Sequence, residues 1–560
     1  MNLQIKEKVK GIPTYVKEHW NTPAEGEYLS LKEFLAYTIS SSGSKIYLSI
    51  ANLITFSAGY FSGAVMGIAT IDFSIISIIS TVVGYIFMFL NPIHILIYEN
   101  HGRLTKKWKI FAHISFLAEL FIGIGCYFIP QDAFENIIHG LPQLVGNMLV
   151  VGGITAYLNW GIRRLFCAKY GRYKPFSLVC LFPSAIMLSL IPYLPVQNLS
   201  YTNKLIVLHF AFTLMSWFFN NSVYVDSIIT FITPNSQERQ KLISIVPIFS
   251  QLLSSIMGMV LPIIITTTGG YLSLKTYKVF VPIFAIVGAV ICFALVFCKE
   301  RIIEEPVDTR KKVKFGQGAL NCIKNKYLWI TKISNLFGSW QWFVDSLLSW
   351  WFVYSLRMEW FSGIAANIVV VGVTLGNIMT PVLTKRFEKK NIIIIVRGLT
   401  LITVLAVAFA VKFENIWIFL VALFFKNTIQ PITNGVGSGL GADIMDYHQW
   451  KYGERSDSIS SVLDWVLNPI GVGFGYIMPW LLAKVGFTSD WNVLFDSTIL
   501  KNVFSLYTWG TIAGIVLLTF PFLFYDLTRE KHEICVRELK ERLENTKKEE
   551  NIEAKGEISL

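Results

Sequence analysis

The residues best suited to chemistry in this chain of 560 residues are ionisable side chains that interrupt long apolar stretches. Asp226, Asp345, Lys426 and Asp464 each lie inside such a stretch. A charge at membrane depth costs roughly 2.5–3.5 kcal/mol on insertion scales, so these residues are expected to face a cavity or a partner. A carboxylate accepts strong hydrogen bonds from hydroxyl groups. Contact with a polar solute is one interpretation, and for Asp226 a structural ion pair with Lys426 or Arg397 is the other.

Aromatic residues adjoin two of these acids. Trp342 precedes Asp345 by three residues, on the same face of a helix. Trp465 follows Asp464 directly. An indole beside an acid suits a sugar, whose CH face packs on the ring while its hydroxyls bond the acid. Tryptophan is also enriched at membrane interfaces, so an interfacial role for these residues stays open.

Neutral amides accompany two of the buried charges. Asn221 precedes Asp226, and Asn427 and Gln430 follow Lys426. Each amide adds hydrogen-bond donors and an acceptor without a charge. We count them as candidate solute contacts.

A dense polar island, GADIMDYHQWKYGERSDS, spans Gly441 to Ser458 between two apolar runs. Its charged residues include Asp443, Asp446, Lys451, Arg455 and Asp457. Acids and bases this close in sequence predict a network of ion pairs.

The composition places these residues in a membrane. Hydrophobic residues make up 53% of the chain and charged residues only 15%, whereas soluble proteins are nearer a quarter charged. The net charge of +12 comes from bases in short loops between apolar spans, which is the positive-inside pattern and excludes a nucleic-acid partner. No nucleotide-binding loop, metal-ligand spacing or catalytic motif occurs, so neither an enzyme nor a cofactor is expected.

We predict an all-α polytopic protein with about fourteen spans, because a span needs about 20 mainly apolar residues. Roughly, they cover 45–68, 72–98, 108–129, 143–163, 174–195, 203–232, 242–268, 277–298, 327–355, 363–384, 391–412, 415–445, 458–485 and 500–526. The basic loops fit an even number of spans, with the N- and C-termini cytoplasmic.

The same pattern divides the chain into two bundles. We predict a cytoplasmic N-terminal tail over 1–44 and a helix bundle over 45–298. A cytoplasmic linker over 299–326 leads to a second bundle over 327–526. The charged tail, 527–560, is expected to be cytoplasmic and solvated. A charged linker between two bundles is what a two-half transporter needs, since the halves must move against each other.

Four pieces of sequence carry a family resemblance. They are Asn91-Pro92 followed by Lys109-Ile110-Phe111, YGRYKPF (Tyr170 to Phe176), Asp226 with the nearby TPNSQER (Thr233 to Arg239), and ADIMDYHQWKYGERSDSI (Ala442 to Ile459). With them the chain resembles the glycoside–pentoside–hexuronide:cation symporters, the melibiose-permease-like branch of the major facilitator superfamily. The last piece is the most specific.

The resemblance implies a fold of two six-helix bundles, and the two surplus spans imply an added helix hairpin at roughly 104–165. An N-terminal position for the extra pair stays open. Asp226 matches an acid that accepts hydrogen bonds from sugar hydroxyls, with Thr230 one turn further on the same face. The polar island becomes the cytoplasmic junction between the family's tenth and eleventh helices, where its ion pairs would form a gate.

The sequence departs from the family where the cation binds. The family's two acids of the second helix fall at Phe87 and Asn91, and the first-helix substrate acid falls at Lys45. A sodium site needs oxygen ligands, usually with a carboxylate to offset the desolvation of the ion, and Phe87 cannot supply one. We therefore expect no sodium site of the usual kind. Three options stay open: coupling to protons through Asp226, Asp345 or Asp464, which we favour, uncoupled transport, or a charged substrate bound by Lys45.

The leading prediction is a secondary active transporter of a glycoside or similar small polar solute, monomeric, in the plasma membrane. Two alternatives stay open. One is a membrane sensor that keeps the transporter fold without moving solute. The other is a carrier of a lipid or amphiphile.

Overall fold

The protein is described by a computed structural model that covers residues 15–55, 61–87, 93–94, 97, 102–171, 173–222, 228, 232–233, 236–301, 315–358, 360–453, 462–487, 490–539 and 541–542. No β-strand occurs among these residues, which confirms the all-α prediction. The chain divides into two compact units. Unit 1 comprises Met1–Val307, Arg357–Asn367 and Phe487–Val493, and unit 2 comprises Asp308–Leu356, Ile368–Gly486 and Leu494–Leu560.

Unit 1 contains eight long helices among its described residues. They are α1 (Leu31–Thr55), α2 (Thr70–Ile86), α3 (Lys106–Cys126), α4 (Leu141–Ile162), α5 (Lys174–Leu190), α6 (Tyr201–Ser222), α7 (Ser236–Thr268) and α8 (Leu274–Cys292). π-helical turns lie at Phe61–Val65 and Arg163–Cys167, and 3₁₀ turns at Ile191–Tyr193 and Phe293–Phe297. Helix α1 packs against α7 and α8, α8 packs on α5, and α5 packs on α6.

Helix α1 begins at Leu31, well before the predicted span start at residue 45. Its early part contains a run of buried serines, Ser40, Ser41, Ser42 and Ser44. The Ser40 hydroxyl donates to the Cys292 carbonyl oxygen of α8 at 2.8 Å. A Cβ atom at Gly43 would lie 2.6 Å from Ile291 Cγ2. Small residues let helices approach closely, so this segment packs well although its hydropathy is low.

Helices α3 and α4 form the hairpin within the segment predicted as an insertion. They pack closely on each other, and α4 also packs against α6. Gly123 and Gly153 form the contact, since a Cβ at Gly123 would lie 2.8 Å from Leu149 Cβ and one at Gly153 would lie 3.0 Å from the Phe116 carbonyl oxygen. Which helix pair is the family's addition stays a prediction.

Unit 2 contains α9 (Phe315–Lys324), α10 (Lys326–Ser346), most of α11 (Phe361–Arg386), α12 (Lys389–Lys412), α13 (Ile416–Tyr452), α14 (Val462–Lys484) and α15 (Ser497–Thr519). A 3₁₀ turn at Leu347–Ser349 and a π-helical turn at Trp351–Ser355 follow α10. Further 3₁₀ turns lie at Trp491–Phe495 and Phe520–Phe524. Helix α10 packs against α14 and α15, and α12 packs against α13 and α15.

Two segments of unit 2 add to the sequence-based expectation. Helix α13 continues through the first half of the polar island to Tyr452, so Lys451 lies in its last turn rather than in a following segment. Residues 529–539 form a helix, the C-terminal helix, in which Cys535 is only 4% exposed. This part of the tail therefore contacts the protein through Cys535, while its other residues are partly or fully exposed.

Ten helical stretches of the described chain are long and apolar enough to cross a membrane. They are Lys106–Cys126, Leu141–Cys167, Lys174–Tyr193, Tyr201–Ser222, Ile245–Thr268, Leu274–Phe297, Gly363–Arg386, Lys389–Lys412, Ile416–Tyr452 and Ser497–Phe524. Helices α1, α2, α10 and α14 lie at the other four predicted spans. The total of fourteen stays a prediction.

Candidate functional site

The acids of the polar island pair with bases from other parts of unit 2. Asp443 Oδ2 lies 2.6 Å from Lys389 Nζ, at the start of α12. Lys389 also donates to the Gly439 carbonyl oxygen at 3.2 Å. His532 Nε2, on the C-terminal helix, lies 3.2 Å from Asp446 Oδ2 and 3.7 Å from Asp443 Oδ1. One histidine thus contacts two of the three acids that were predicted to form the gate.

The remaining island residues behave differently. Lys451 Nζ lies over the rings of Tyr447 and Tyr452, at 5.8 and 5.4 Å from their centroids. Trp450 Nε1 donates to Glu538 Oε2 of the C-terminal helix at 2.6 Å. Arg455 and Asp457 lie outside the described residues. The structure therefore joins Asp443 and Asp446 to the C-terminal helix and to α12.

A second ion pair fixes the junction between the last 3₁₀ turn and α10. Lys326 Nζ lies 2.7 Å from Asp526 Oδ1. The hydrogen bond from Lys326 lowers the pKa of the Asp526 carboxyl. Behind this pair, the Tyr327 ring packs on the rings of Tyr447 and Tyr525, with centroids 4.9 and 5.3 Å apart.

Two predicted solute contacts of unit 2 have protein partners. Asp464 Oδ2 lies 2.5 Å from Lys332 Nζ of α10. Lys426 is only 4% exposed, and its Nζ donates to the Tyr507 hydroxyl of α15 at 3.3 Å. For these two residues the structure favours internal pairing over direct contact with a solute.

Of the other predicted site residues, the structure describes some fully, some only in the backbone and some not at all. Asp226, Thr230 and Asn91 lie outside the described residues. Trp342 and Asp345 lie on α10 and Trp465 on α14, but their side chains are outside the described part. In unit 1, Asn221 Nδ2 donates to the Trp217 carbonyl oxygen of its own helix at 2.7 Å, Lys45 is half-buried on α1, and Phe87 packs beside Ile93 and Ile97.

A cleft in unit 2 collects polar side chains that the sequence reasoning recognised only in part. It has a volume of about 350 Å³ and is lined by Asn377, Asn427, Gln430 and Asn434, together with Val373, Pro431 and Gly435. We call this the amide cleft. Its volume falls within the range of about 300–1,000 Å³ that is usual for small-molecule sites.

Glycines bring the two walls of the amide cleft together. A Cβ atom at Gly372 of α11 would lie 2.8 Å from the Phe424 carbonyl oxygen of α13, and one at Gly376 would overlap the Thr428 carbonyl oxygen. A Cβ at Gly435 would lie 2.8 Å from Thr380 Cγ2. This contact of small residues places Asn377 opposite the amides of α13.

Spacing along α13 could have revealed most of the amide cleft. Asn427, Gln430 and Asn434 recur at i, i+3 and i+7, which is one face of a helix. Asn377 belongs to a different helix, and only the fold brings it to the others.

Two acids of unit 1, one in a family motif and one next to another, accept hydrogen bonds from backbone amides. Glu238 of the TPNSQER segment is 3% exposed, and its Oε1 accepts from the Tyr28 and Leu29 amides at 2.9 Å each. Its Oε2 accepts from the Thr233 hydroxyl. Glu300 Oε1 accepts from the Tyr173 amide at 3.0 Å and the Lys174 amide at 2.5 Å, at the start of α5. Both motifs are therefore held by carboxylates that cap backbone N–H groups.

Comparison with known proteins agrees with this architecture. The model of the family described as MFS/sugar transport protein matches residues 162–529. Over 396 residues the chain is 23% identical to the isoprimeverose transporter of Lactiplantibacillus pentosus, covering 69% of this chain and 81% of that protein. Over 410 residues it is 25% identical to the uncharacterized symporter YjmB of Bacillus subtilis (strain 168), covering 68% of this chain and 86% of that protein.

Two solved structures are similar over most of the chain. A mutant of the nucleoside transporter NupG gives a TM-score of 0.45 at 15% identity, covering 88% of this chain and 98% of that one. A bacterial homologue of the human lysosomal transporter Spinster gives 0.40 at 11% identity, covering 89% and 97%.

The family model spans well over half of the chain, from the end of α4 to the start of the C-terminal helix. The protein is therefore a multi-pass membrane transporter of a small solute, not an enzyme, and it belongs to the MFS/sugar transport protein family of the major facilitator superfamily, as its resemblance to the glycoside–pentoside–hexuronide:cation symporters predicted.

Proposed function

We propose that this protein transports a glycoside by alternating access across the plasma membrane, as a monomer with both termini cytoplasmic. The amide cleft is the observation that carries the proposal. Asn377, Gln430 and Asn434 are exposed in the structure, and Asn427 is half-buried. Amides at this depth are costly next to lipid, so they indicate a water-filled or solute-filled space.

The chemistry of the amide cleft favours a neutral solute rich in hydroxyl groups. Each carboxamide offers two donors and an acceptor, which match the mixed donor and acceptor character of a sugar hydroxyl. Among the residues that the structure describes, no acid or base lines the cleft. A strongly charged solute would find no opposite charge among these residues, so a neutral glycoside fits better than an organic acid or amine.

Proton coupling fits this protein better than sodium coupling. Phe87 replaces an oxygen ligand at the first position of the family's cation site. Without that oxygen the remaining residues would offset less of the desolvation of a sodium ion. We therefore assign coupling to protons.

The island's ion pairs support a role as a cytoplasmic gate. Asp443 pairs with Lys389, and Asp446 contacts His532. Contacts of this kind between side chains of different helices can break and form again when the helices move. Such pairs can stabilise one conformation of a transporter and part in the other. Glu238 and Glu300, which cap backbone amides, are unsuited to repeated release because their donors would lose their partners.

A carrier of amphiphiles has one feature in its favour, an apolar groove of about 500 Å³ between α12 and α13. Leu399, Ile402, Trp417 and Val421 line it, and all four are exposed. Surfaces that face lipid are apolar in any membrane protein, so the groove does not require an amphiphilic substrate. A carrier of amphiphiles would also not require the four amide side chains that line the amide cleft.

Uptake of radiolabelled isoprimeverose into vesicles with the purified protein tests the proposal. We expect saturable uptake in the wild type and at least a tenfold higher KM for Gln430→Leu, since a lost hydrogen-bonding group leaves the sugar hydroxyl unpaired. Thr400→Val is the matched control, because the Thr400 hydroxyl donates only to its own helix at Val396. Unchanged kinetics in Gln430→Leu and Asn377→Leu would remove the amide cleft from the substrate path. Absence of uptake for every glycoside, with binding retained, would favour the sensor.

A further inference from the structure

One acid of unit 1, Glu119, lies in an apolar helix and belongs neither to the amide cleft nor to the polar island. Glu119 lies beyond the middle of α3 and is only 9% exposed. The opposite side of α3 is apolar and exposed, with Ile114, Leu117 and Phe121 among its residues. The Glu119 carboxyl group therefore points away from the exposed surface and towards α4.

Among the described residues, no basic side chain compensates the charge that Glu119 would carry when ionised. Helix α4 contains no acidic or basic residue between Leu141 and Ile162. The titratable side chains on the neighbouring described elements are Asp72, Tyr85, His94, Arg103, Lys106, Lys107, Lys109, His113, Cys126, Tyr127, Tyr157, Tyr201, Lys204 and His209. Within the described part of the chain, none of them forms an ion pair with Glu119.

Desolvation decides which form of this carboxyl is stable. An ionised carboxylate without a partner is far costlier in an apolar interior than a neutral carboxylic acid. Glu119 therefore holds a proton while α3 and α4 are packed as in this structure. Release of the proton requires that water or a donor reach the carboxylate.

The geometry of the hairpin couples this proton to helix packing. A Cβ atom at Gly152 of α4 would overlap the Glu119 carboxyl, so the side chain fills the contact between the two helices. Nearby, the helices touch backbone to backbone at Gly123 and Gly153. A neutral acid is compatible with this close packing. A charged carboxylate favours a separation that lets water in.

Helix α4 is in turn bonded to α6. Asn147 Nδ2 donates to the Ile206 carbonyl oxygen at 2.8 Å and lies 3.2 Å from His209 Nδ1. Asn147 Oδ1 accepts from the Tyr127 hydroxyl of α3. The chain continues from α6 to Asp226, the acid that resembles the family's sugar-binding residue. A change in the packing of α3 against α4 would therefore displace α6.

We propose that Glu119 binds and releases the proton that drives transport, with the α3–α4 hairpin closely packed when the acid is neutral and loosened when it is ionised. This rests on the transport function proposed above. One proton binds to one oxygen of the Glu119 carboxylate, so the net charge of the hairpin changes by one unit. The site differs from the family's second-helix position, where Phe87 cannot bind a proton.

Infrared difference spectroscopy of the reconstituted protein tests proton binding without any sugar. We expect a protonated-carboxyl band in the wild type that disappears between mildly acidic and mildly alkaline pH. The band should be absent from Glu119→Gln and retained in Glu135→Gln, a matched change in the exposed turn of the same hairpin. A wild type without a titrating band, or a Glu119→Gln variant that keeps it, overturns the proposal.

Accumulation of radiolabelled isoprimeverose under an acid-outside gradient tests coupling. For one proton per sugar, we expect the wild type and Glu135→Gln to accumulate up to about tenfold per pH unit. Glu119→Gln should only equilibrate the sugar, while sugar-for-sugar exchange persists. Wild-type accumulation by Glu119→Gln, or wild-type uptake that ignores the gradient, overturns the coupling role. A titrating Glu119 band in a protein that moves no glycoside would instead contradict the proposed function and leave the proton site intact.

Discussion

Two carboxylates of unit 1 and three of unit 2 are held in contrasting ways. In unit 1, Glu238 and Glu300 accept hydrogen bonds from backbone amides just before or at the start of a helix. In unit 2, Asp443, Asp446 and Asp464 bind Lys and His side chains. A backbone amide loses a fixed partner if its carboxylate leaves, whereas a partly exposed lysine can return to water. The contrast indicates that Glu238 and Glu300 hold the fold and that Asp443, Asp446 and Asp464 can take part in a conformational cycle.

The largest expected effect is on the stability of unit 1. Glu238→Gln replaces a buried carboxylate that accepts from two amides and one hydroxyl. Hydrogen bonds to charged groups contribute about 1.5–3 kcal/mol each, so we expect roughly 2–3 kcal/mol lower stability and less folded protein. Thermal unfolding followed by size-exclusion chromatography measures this. Glu135→Gln is the control, and a wild-type unfolding temperature for Glu238→Gln would contradict a fold-holding role.

The next effect is on transport rate in unit 2. Asp443→Asn removes the ion pair with Lys389 while keeping the side-chain volume. The gate model predicts about a fivefold lower turnover, from loss of about 1 kcal/mol in the conformation that the pair stabilises. KM and the unfolding temperature should change little, because the pair is partly exposed and neither Asp443 nor Lys389 lines the amide cleft. A change confined to KM would argue against the gate.

A smaller effect on the transport rate is expected when a contact of the C-terminal helix is removed. His532→Ala removes contacts with Asp443 and Asp446 but leaves the Lys389 pair in place. We expect about a twofold lower turnover, since a partly exposed contact contributes under about 1 kcal/mol. Glu533→Ala, one residue along on the exposed side, is the control in the same uptake assay. Equal effects of the two variants would show that the histidine contact has no special role.

The smallest effect concerns acid stability at Asp526. The hydrogen bond from Lys326 lowers the pKa of this carboxyl, so the pair stabilises the fold above the unfolded-state pKa of about 3.9 and less as pH falls through the folded-state value. Both side chains are more than half exposed, so the contribution is under about 1 kcal/mol. Lys326→Met should unfold at a lower temperature than the wild type at neutral pH and at the same temperature in strong acid. A difference that persists in acid would exclude the ion pair as its cause.

The sequence predicted the membrane class and the polar island because both depend on composition and local order. Asp443 and Asp446 were predicted to form ion pairs, but their partners were not predicted, since Lys389 lies 54 residues before Asp443 and His532 lies 86 residues after Asp446. Local spacing shows which residues share a helix face and says nothing about which distant base that face meets.

Hydropathy also did not show that helix α1 begins at Leu31, before the predicted span. Ser40, Ser42 and Ser44 lower the hydropathy of α1, yet they are buried because their hydroxyls bond backbone carbonyls. The amide cleft shows a similar limit. The face of α13 that carries Asn427, Gln430 and Asn434 follows from spacing, while the contribution of Asn377 depends on the glycine contact between α11 and α13.

A charge exchange between Lys389 and Asp443 tests the central contrast most directly. The single variants Asp443→Lys and Lys389→Asp each place like charges side by side, whereas the double variant restores an opposite pair in reversed order. Isoprimeverose turnover should be measured for all three, with the amount of folded protein as a reference. The gate model predicts that the double variant recovers several-fold over either single variant, with all three folded. A double variant no faster than the singles, or single variants that lose stability as Glu238→Gln is expected to, would contradict it.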